Sequence, residues 1–450
     1  MPLDRAAAGA AGVREPAPVE GGADARGGSR LIRLLAAPMF RSLHNRNFRL
    51  FTAGSLVSNT GSWMQRVAQD WLMLELSHND GTALGITVGL QFLPMLLFGL
   101  WGGVVADRYS KRRVLVITQA SMGLLALALG VLAITGSAQL WQVYALAFGL
   151  GIATVVDNPA RQTFVVEMVG KTDLPNAIAL GGACFNIGRV LGPAAAGLLI
   201  AAIGTGPVFL VNAASFVAVL ASLAFMRADE LHTAEPVARA KGQLREGLRY
   251  VRARRDLVMV LLLVGFVATF GMNFAVTTPL IAKEVFHTGA SSFGLASTML
   301  ALGALIGALV AARRVRPTGR LLIGSAVLFG TLEVAVSLMP WYWLFLVLLV
   351  PTGTAVLTFT TSANATMQLD VTAAMRGRVM ALYMLVFLGT NPLGGPLIGK
   401  LAELVGPRFT MTLGGAVSAL TPLVVAAVML PRKTLTDAAA ELPRWTRIRR

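Results

Sequence analysis

Apolar runs of about 20 residues or more recur along this chain, and no other feature limits its fold so severely. Wound as a helix that rises 1.5 Å per residue, such a run crosses about 30 Å of hydrocarbon. Twelve are read from the sequence, at 50–75, 83–106, 112–134, 139–158, 176–203 and 207–226, then at 256–283, 291–313, 319–338, 342–362, 376–401 and 407–430. Lipid offers a backbone N–H or C=O no partner, so runs this long form helices and not the alternating strands of a barrel. The expected fold is an all-α membrane protein. Composition agrees, since 55% hydrophobic and 14% charged residues with a mean hydropathy of +0.67 would give a soluble chain a mostly apolar surface.

Lys and Arg positions orient these spans. Arg30, Arg33, Arg41, Arg46 and Arg49 precede the first, and Arg108, Lys111, Arg112 and Arg113 follow the second. Arg227, Arg239, Lys241, Arg245, Arg249, Arg252, Arg254 and Arg255 follow the sixth, Arg313, Arg314, Arg316 and Arg320 follow the eighth, and Arg432 and Lys433 open a basic tail. The connections at 76–82, 135–138, 204–206 and 339–341 carry neither residue type, and only Lys283, Lys400 and Arg408 approach that side. Both termini are therefore expected in the cytoplasm. The net charge of +17 follows from this asymmetry and from anionic lipid on the inner leaflet, so no nucleic-acid partner is inferred.

The spans divide into two sets of six that echo each other. Asn158-x-x-x-Gln162 is matched by Asn364-x-x-x-Gln368, and Gly206-Pro207-x-Phe209 by Gly406-Pro407-x-Phe409, at an offset near 200 residues. The expected domains are a disordered cytoplasmic arm (1–45), a six-helix bundle (46–226), a cytoplasmic linker (227–255), a second bundle (256–430) and a basic tail (431–450). Residues 1–28 are rich in Ala, Gly and Pro and lack the apolar core of a signal peptide. Within the linker, Gln243 to Leu257 has apolar residues at helical spacing and a basic opposite face, as expected of a helix lying on the inner membrane surface.

Between the second and third spans the chain reads Gly103-x-x-x-Asp107-Arg108-Tyr109-Ser110-Lys111-Arg112-Arg113. A glycine there lets the helix end approach a neighbour closely, and acidic residues contribute little to the positive-inside rule, so Asp107 asks for another explanation. With Asp157 and Arg161, placed at the end of the fourth span, Gly103, Asp107, Arg108 and Arg112 are read as an interhelical charge network that one conformation makes and another breaks. Lys111 and Arg113 are read as topological charges only. On the fifth span, Gly188, Gly192, Pro193 and Gly197 form a small-residue groove with a bend.

Few charges lie inside spans, and each costs several kcal/mol unless paired or wetted. Arg189, near the middle of the fifth span, either binds an anionic substrate group, balances a carboxylate, or fixes helix packing. Arg66 and Asp70 are one turn apart, so that they can pair; Asp70, near the outer mouth, is a proton-coupling carboxylate or a solvated interfacial one. Glu333 is a second coupling candidate. No charge occurs in 139–156. Gln65, Asn186, Asn273, Asn364, Gln368 and Asn391 line a cavity or bridge helices, and Trp63, Trp71, Phe270, Met272 and Phe274 offer apolar walls, with Trp71 placed as an interfacial anchor.

Other chemistry is not supported. The lone Cys184 cannot form an internal disulfide, the four His lack metal-ligand spacing, and no phosphate-cradling Gly-x-x-x-x-Gly-Lys-Ser/Thr loop is present. No nucleophile, base and orienting group cluster, so neither an enzyme nor a cofactor is expected, and any energy coupling draws on an ion gradient.

The hinge segment, FRLFTAGSLVSNTGSWMQRVAQDWLMLEL, DNPARQTFVVEMVGKTDLPNAIAL and RGRVMALYMLVFLGTNPLGGPLIG together resemble the major facilitator superfamily, specifically its bacterial exporter branch of transmembrane secretion effectors, with enterobactin exporters and drug efflux proteins. The superfamily hinge pattern Gly-x-x-x-Asp-Arg-x-Gly-Arg-Arg is met by Gly103, Asp107, Arg108, Lys111 and Arg112, with Ser110 in place of a Gly. The fifth-span motif is similar to an antiporter pattern, with Ala196 replacing one Gly. The resemblance implies an exporter in the bacterial cytoplasmic membrane that moves an amphipathic small molecule outward by alternating access against protons, with lipid and substrate as partners and a monomer compatible with the family. An uncoupled facilitator, an importer and a non-transporting receptor or scaffold remain open on the residues alone.

Overall fold

The computed structural model describes residues 38–232, 243–313 and 318–429. The expectations for the arm through residue 37, for the tail, and for Arg239, Lys241, Arg314 and Arg316 fall outside the described residues. Among the described residues the regular elements are helices: α1 (Arg46–Leu76), α2 (Gly81–Arg108), α3 (Lys111–Ile134), α4 (Leu140–Ile203), α5 (Thr205–Ala224), α6 (Gln243–Arg252) and α7 (Arg255–Phe266). They continue as α8 (Phe274–Leu280), α9 (Ala290–Ala312), α10 (Gly319–Ser337), α11 (Tyr342–Leu369), α12 (Ala373–Gly389), α13 (Asn391–Val405) and α14 (Pro407–Met429).

Among the described residues, ten helical stretches are long and apolar enough to cross a membrane, with Arg255–Val285 and Met375–Val405 each taken as one. α1 is not among the ten despite its 31 residues, because Ser, Thr, Asn and Gln residues together with Arg66 and Asp70 dilute its apolar character. α4 counts once at 64 residues, yet a straight rod of that length would measure roughly 95 Å. Its path breaks at Gly170, whose φ of 68° and ψ of −176° suit glycine alone. Asn45 donates to the Met168 carbonyl at 2.6 Å and Ser42 to Asn176 Oδ1, while Val143 and Ile200 share one core. The chain therefore doubles back at Gly170 into two antiparallel arms. The connection expected at 159–175 is helical on either side of that one residue, and Asp157 and Arg161 lie within an arm rather than at its end.

Two other expected spans are interrupted. α7 passes through a widened turn at Val267–Gly271, breaks at Met272 and Asn273 and resumes as α8, with Asn273 Nδ2 donating to the Thr269 carbonyl at 2.7 Å. α12 gives way to α13 at Thr390, just before Asn391-Pro392, where proline withholds a backbone donor. α11 runs on to Leu369, so Asn364 and Gln368 sit inside it and bond to each other. The Gly-Pro echo differs in backbone role: Gly204 (φ 82°) and Gly406 (φ 85°) make the left-handed turns, whereas Gly206 seats against Ile134. The linker helix α6 rests against α12, where Glu246 pairs with Arg378 at 2.6 Å.

In the first half, α1 packs on α4 and α5, α2 on α4, and α3 on α5; in the second, α9 packs on α11 and α10 on α11 and α14. Beside smaller contacts of α8 and α9 with α1 and of α8 and α12 with α2, two extensive ones join the halves, α2 with α13 and α4 with α9. Both need glycine: a Cβ on Gly85 would stand 2.2 Å from the Gly395 carbonyl oxygen, and one on Gly294 2.5 Å from that of Pro193. These seams lie toward the end of the molecule that holds the turns near residues 78, 204, 289 and 406. There one apolar core draws on both halves, from Met64 and Trp71 to Phe293 and Ile398. Toward the other end, rich in Arg and Lys, the cores are separate, one around Phe51, Phe164 and Phe216 and one around Val264, Phe329 and Tyr383. The halves meet at one end and part at the other.

Candidate functional site

The basic end carries the residues expected to gate. Asp157, 3% exposed, accepts from Thr118 Oγ1 at 2.8 Å, Gln119 Nε2 at 2.7 Å and Arg161 Nε at 3.1 Å. Arg161 also donates to Ser55 Oγ at 3.1 Å and lies 5.4 Å from the Phe51 ring. This knot ties α4 to α3 and α1. Arg112 spends its guanidinium on the Leu223 and Ala224 carbonyls at 2.9 and 3.1 Å, closing the C-terminal end of α5 rather than pairing with a carboxylate. Asp107 and Arg108 lie in the last turn of α2 on the same rim. Lys111, expected to be a topological charge only, pairs with Glu167 at 3.3 Å with both side chains largely shielded. The close approach of α2 is made by Gly102, where a Cβ would stand 2.2 Å from the Val155 carbonyl oxygen, next to the buried Gly103.

The small-residue motif of α4 serves two neighbours. Gly188 and Gly192 seat against the α1 backbone from Asn59 to Met64, and Gly197 seats against Gly294 of α9. Through Gly188 and Gly192, Arg189 is held beside α1. Its guanidinium carbon lies 5.6 Å from the centre of the Trp63 ring, and that of Arg66 lies 4.7 Å from the same ring. Phe185, one turn before Arg189, meets Trp63 edge-on at 5.7 Å. Asp70 attracts Arg66 through space without closing an ion pair among the described residues, and it is only 9% exposed. Trp71 is buried rather than interfacial: it stacks on Phe293 at 6.3 Å and carries Lys283 Nζ 5.2 Å from its ring, within the shared core.

The two seams end near this cluster. Thr298 of α9 reaches the Val190 carbonyl at 3.5 Å, and beyond it toward the basic end the α4 face carries Asn186, whose side chain donates to the Gly182 carbonyl of its own helix at 2.9 Å, with Gly182 exposed and nothing within 4 Å of where its Cβ would be. Arg189 thus stands at the head of the opening between the halves.

Glu333 lies elsewhere, 2% exposed on α10, its Oε2 without a hydrogen-bond partner. It faces Gly271 at the α7–α8 break and Gly414 of α14, beside Ser418, whose hydroxyl is also unbonded. Gln65 bonds to Asn212 of α5 at 2.5 Å and so bridges helices, while Phe270 stacks on Phe266 and Phe274 meets Phe329, within the second half. Phe185 was legible from its spacing to Arg189, whereas Ser55, Thr118, Gln119, Lys283 and Ser418 carry no local signal. Among the described residues, no group of His, Cys, Asp and Glu could hold a metal ion.

The family described as transmembrane secretion effector matches residues 37–447. The Staphyloferrin A transporter of Staphylococcus aureus is 27% identical over 82% of this chain and 92% of its own length. The multidrug efflux pump Tap of Mycolicibacterium fortuitum is 28% identical over 87% of this chain and 97% of its own. Among solved structures, a bacterial homolog of the human lysosomal transporter Spinster, inward-facing and occupied, superposes with a TM-score of 0.65 at 15% identity, over 85% of this chain and 97% of that one.

Proposed function

Because the chain belongs to the transmembrane secretion effector family of major facilitator transporters, we propose that it is a secondary active exporter of an amphipathic small molecule, a siderophore, drug or other metabolite, working by alternating access and proton antiport. The observation that carries this reading is the asymmetry of the seams: the halves share a core at one end and have separate cores at the other. In this reading α4 supplies two spans and α1 one, for twelve in two bundles, 46–226 and 256–430, joined by the linker 227–255. The basic end faces the cytoplasm of a bacterial cell, with both termini there, and the molecule is open inward.

In that state the Asp157 knot and the Lys111–Glu167 pair stiffen the inner rim of the first half, and transport requires the two inner rims to approach while the glycine seams separate. Asp70, under Arg66, and Glu333, without a cation, are the carboxyl groups that would carry the coupling proton. The test is proton movement in everted vesicles holding the purified chain, as siderophores, lipophilic cations and antibiotics are added singly. Substrate-triggered proton release that Asp70→Asn abolishes supports antiport through Asp70. Substrate movement down its gradient without protons would make the protein a facilitator. No movement of any compound that a control exporter answers would favour a receptor or scaffold.

A further inference from the structure

Resting on the exporter reading, we infer that the transported molecule is an organic anion, its carboxylate or phosphate group taken by Arg189 and Arg66 and its apolar body laid against Trp63 and Phe185. Both guanidinium groups lie over one indole, 4.7 and 5.6 Å from its centre, and Phe185 closes one edge of it. Asp70 offsets Arg66, but no acidic side chain among the described residues pairs with Arg189, and Arg189 makes no hydrogen bond among them. The cluster therefore holds two positive charges against one negative, at mid-membrane depth, where an unmatched charge costs several kcal/mol.

Stacking on indole stabilises a guanidinium face but leaves its in-plane N–H donors unused. Those donors form a rigid fork that fits carboxylate and phosphate oxygens two at a time. A ligand reaching Arg189 from the open end passes Asn186 and the bare backbone at Gly182, where the α4 face is uncovered. An anion arriving there supplies the missing charge and the missing acceptors together. A cation would meet two like charges before it reached Asp70, which Arg66 already engages.

The experiment measures binding, without transport, to the full chain in lipid nanodiscs by titration calorimetry. The probes share one ring system: 2-naphthoate, 2-naphthyl phosphate, neutral 2-naphthamide and cationic 2-naphthylmethylammonium. At least one anion is expected to bind about ten- to a hundredfold more tightly than the amide, in line with charge-assisted hydrogen bonds. Comparing the two anions identifies the preferred group. Arg189→Gln should abolish that preference while the melting temperature shows an intact fold, and Arg189→Lys, which keeps charge but loses the fork, should retain part of it. If Arg189→Gln does not fold, Arg66→Gln carries the same test.

Equal or tighter binding of the amide or the ammonium overturns the inference, as does a full anion preference in folded Arg189→Gln, or no binding by any probe. Anion preference without transport of any compound would sink the exporter reading and leave this site standing. Transport with cation preference would do the reverse.

Discussion

Asp157 shows how much one residue holds when its acceptors are fully used. Three donors from two helices converge on a carboxylate that is 3% exposed, and one of them, Arg161, links onward to α1 through Ser55. Removing the carboxylate leaves a shielded guanidinium and two buried polar groups without their acceptor. Asp157→Ala is expected to lower stability by about 3 kcal/mol, read by thermal unfolding in detergent. Glu333 presents the opposite case, since its Oε2 accepts and donates nothing. Glu333→Gln preserves shape and removes the ionisable group, so stability should stay within about 1 kcal/mol while substrate-driven proton release is lost. Unchanged proton release would exclude Glu333 from coupling. Local spacing sufficed to mark Arg66, Asp70 and Arg189 as charges inside spans, but it gave no sign that Trp71 is buried in a core. The burial of Trp71 draws on α9, more than 200 residues away, whose Phe293 stacks on it.

At the scale of elements, the apolar runs announced most helices, and the departures have local physical causes. Gly170 is the whole turn between two long arms, with polar and charged residues on both sides that the reading assigned to a loop. Their helical state is supported by partners elsewhere: Glu167 with Lys111, Asp173 with Arg41, and Asn176 with Ser42. Gly170→Ala forces a Cβ into a backbone region that glycine nearly monopolises, at a cost of about 1–3 kcal/mol, visible as a lower melting temperature. A substitution of Gly181, which is exposed with open space around its missing Cβ, serves as the control and should change the melting temperature little. The α7–α8 break had no obvious sequence mark, because Gly271 and Asn273 are unremarkable in a membrane helix until Ser418, Glu333 and Gly414 are brought against them.

For the whole molecule, the testable consequence is which end is open. In a Cys184→Ser background, Gly182→Cys should react readily with a membrane-impermeant maleimide in inside-out vesicles and poorly in right-side-out ones. The reverse result would place the opening on the outer face. Composition, run length and charge asymmetry determined by themselves that the chain is helical and lipid-embedded, and the motifs named its superfamily, because a bilayer demands internally bonded backbone and leaves little latitude in segment length. Only the tertiary structure decided that Arg189 and Arg66 share one indole, that Arg112 closes a helix end, and that the halves share an apolar core at one end. Those outcomes depend on which glycines of distant helices come into contact. Hydropathy is blind to that choice, since two apolar helices read alike whether they face lipid or each other.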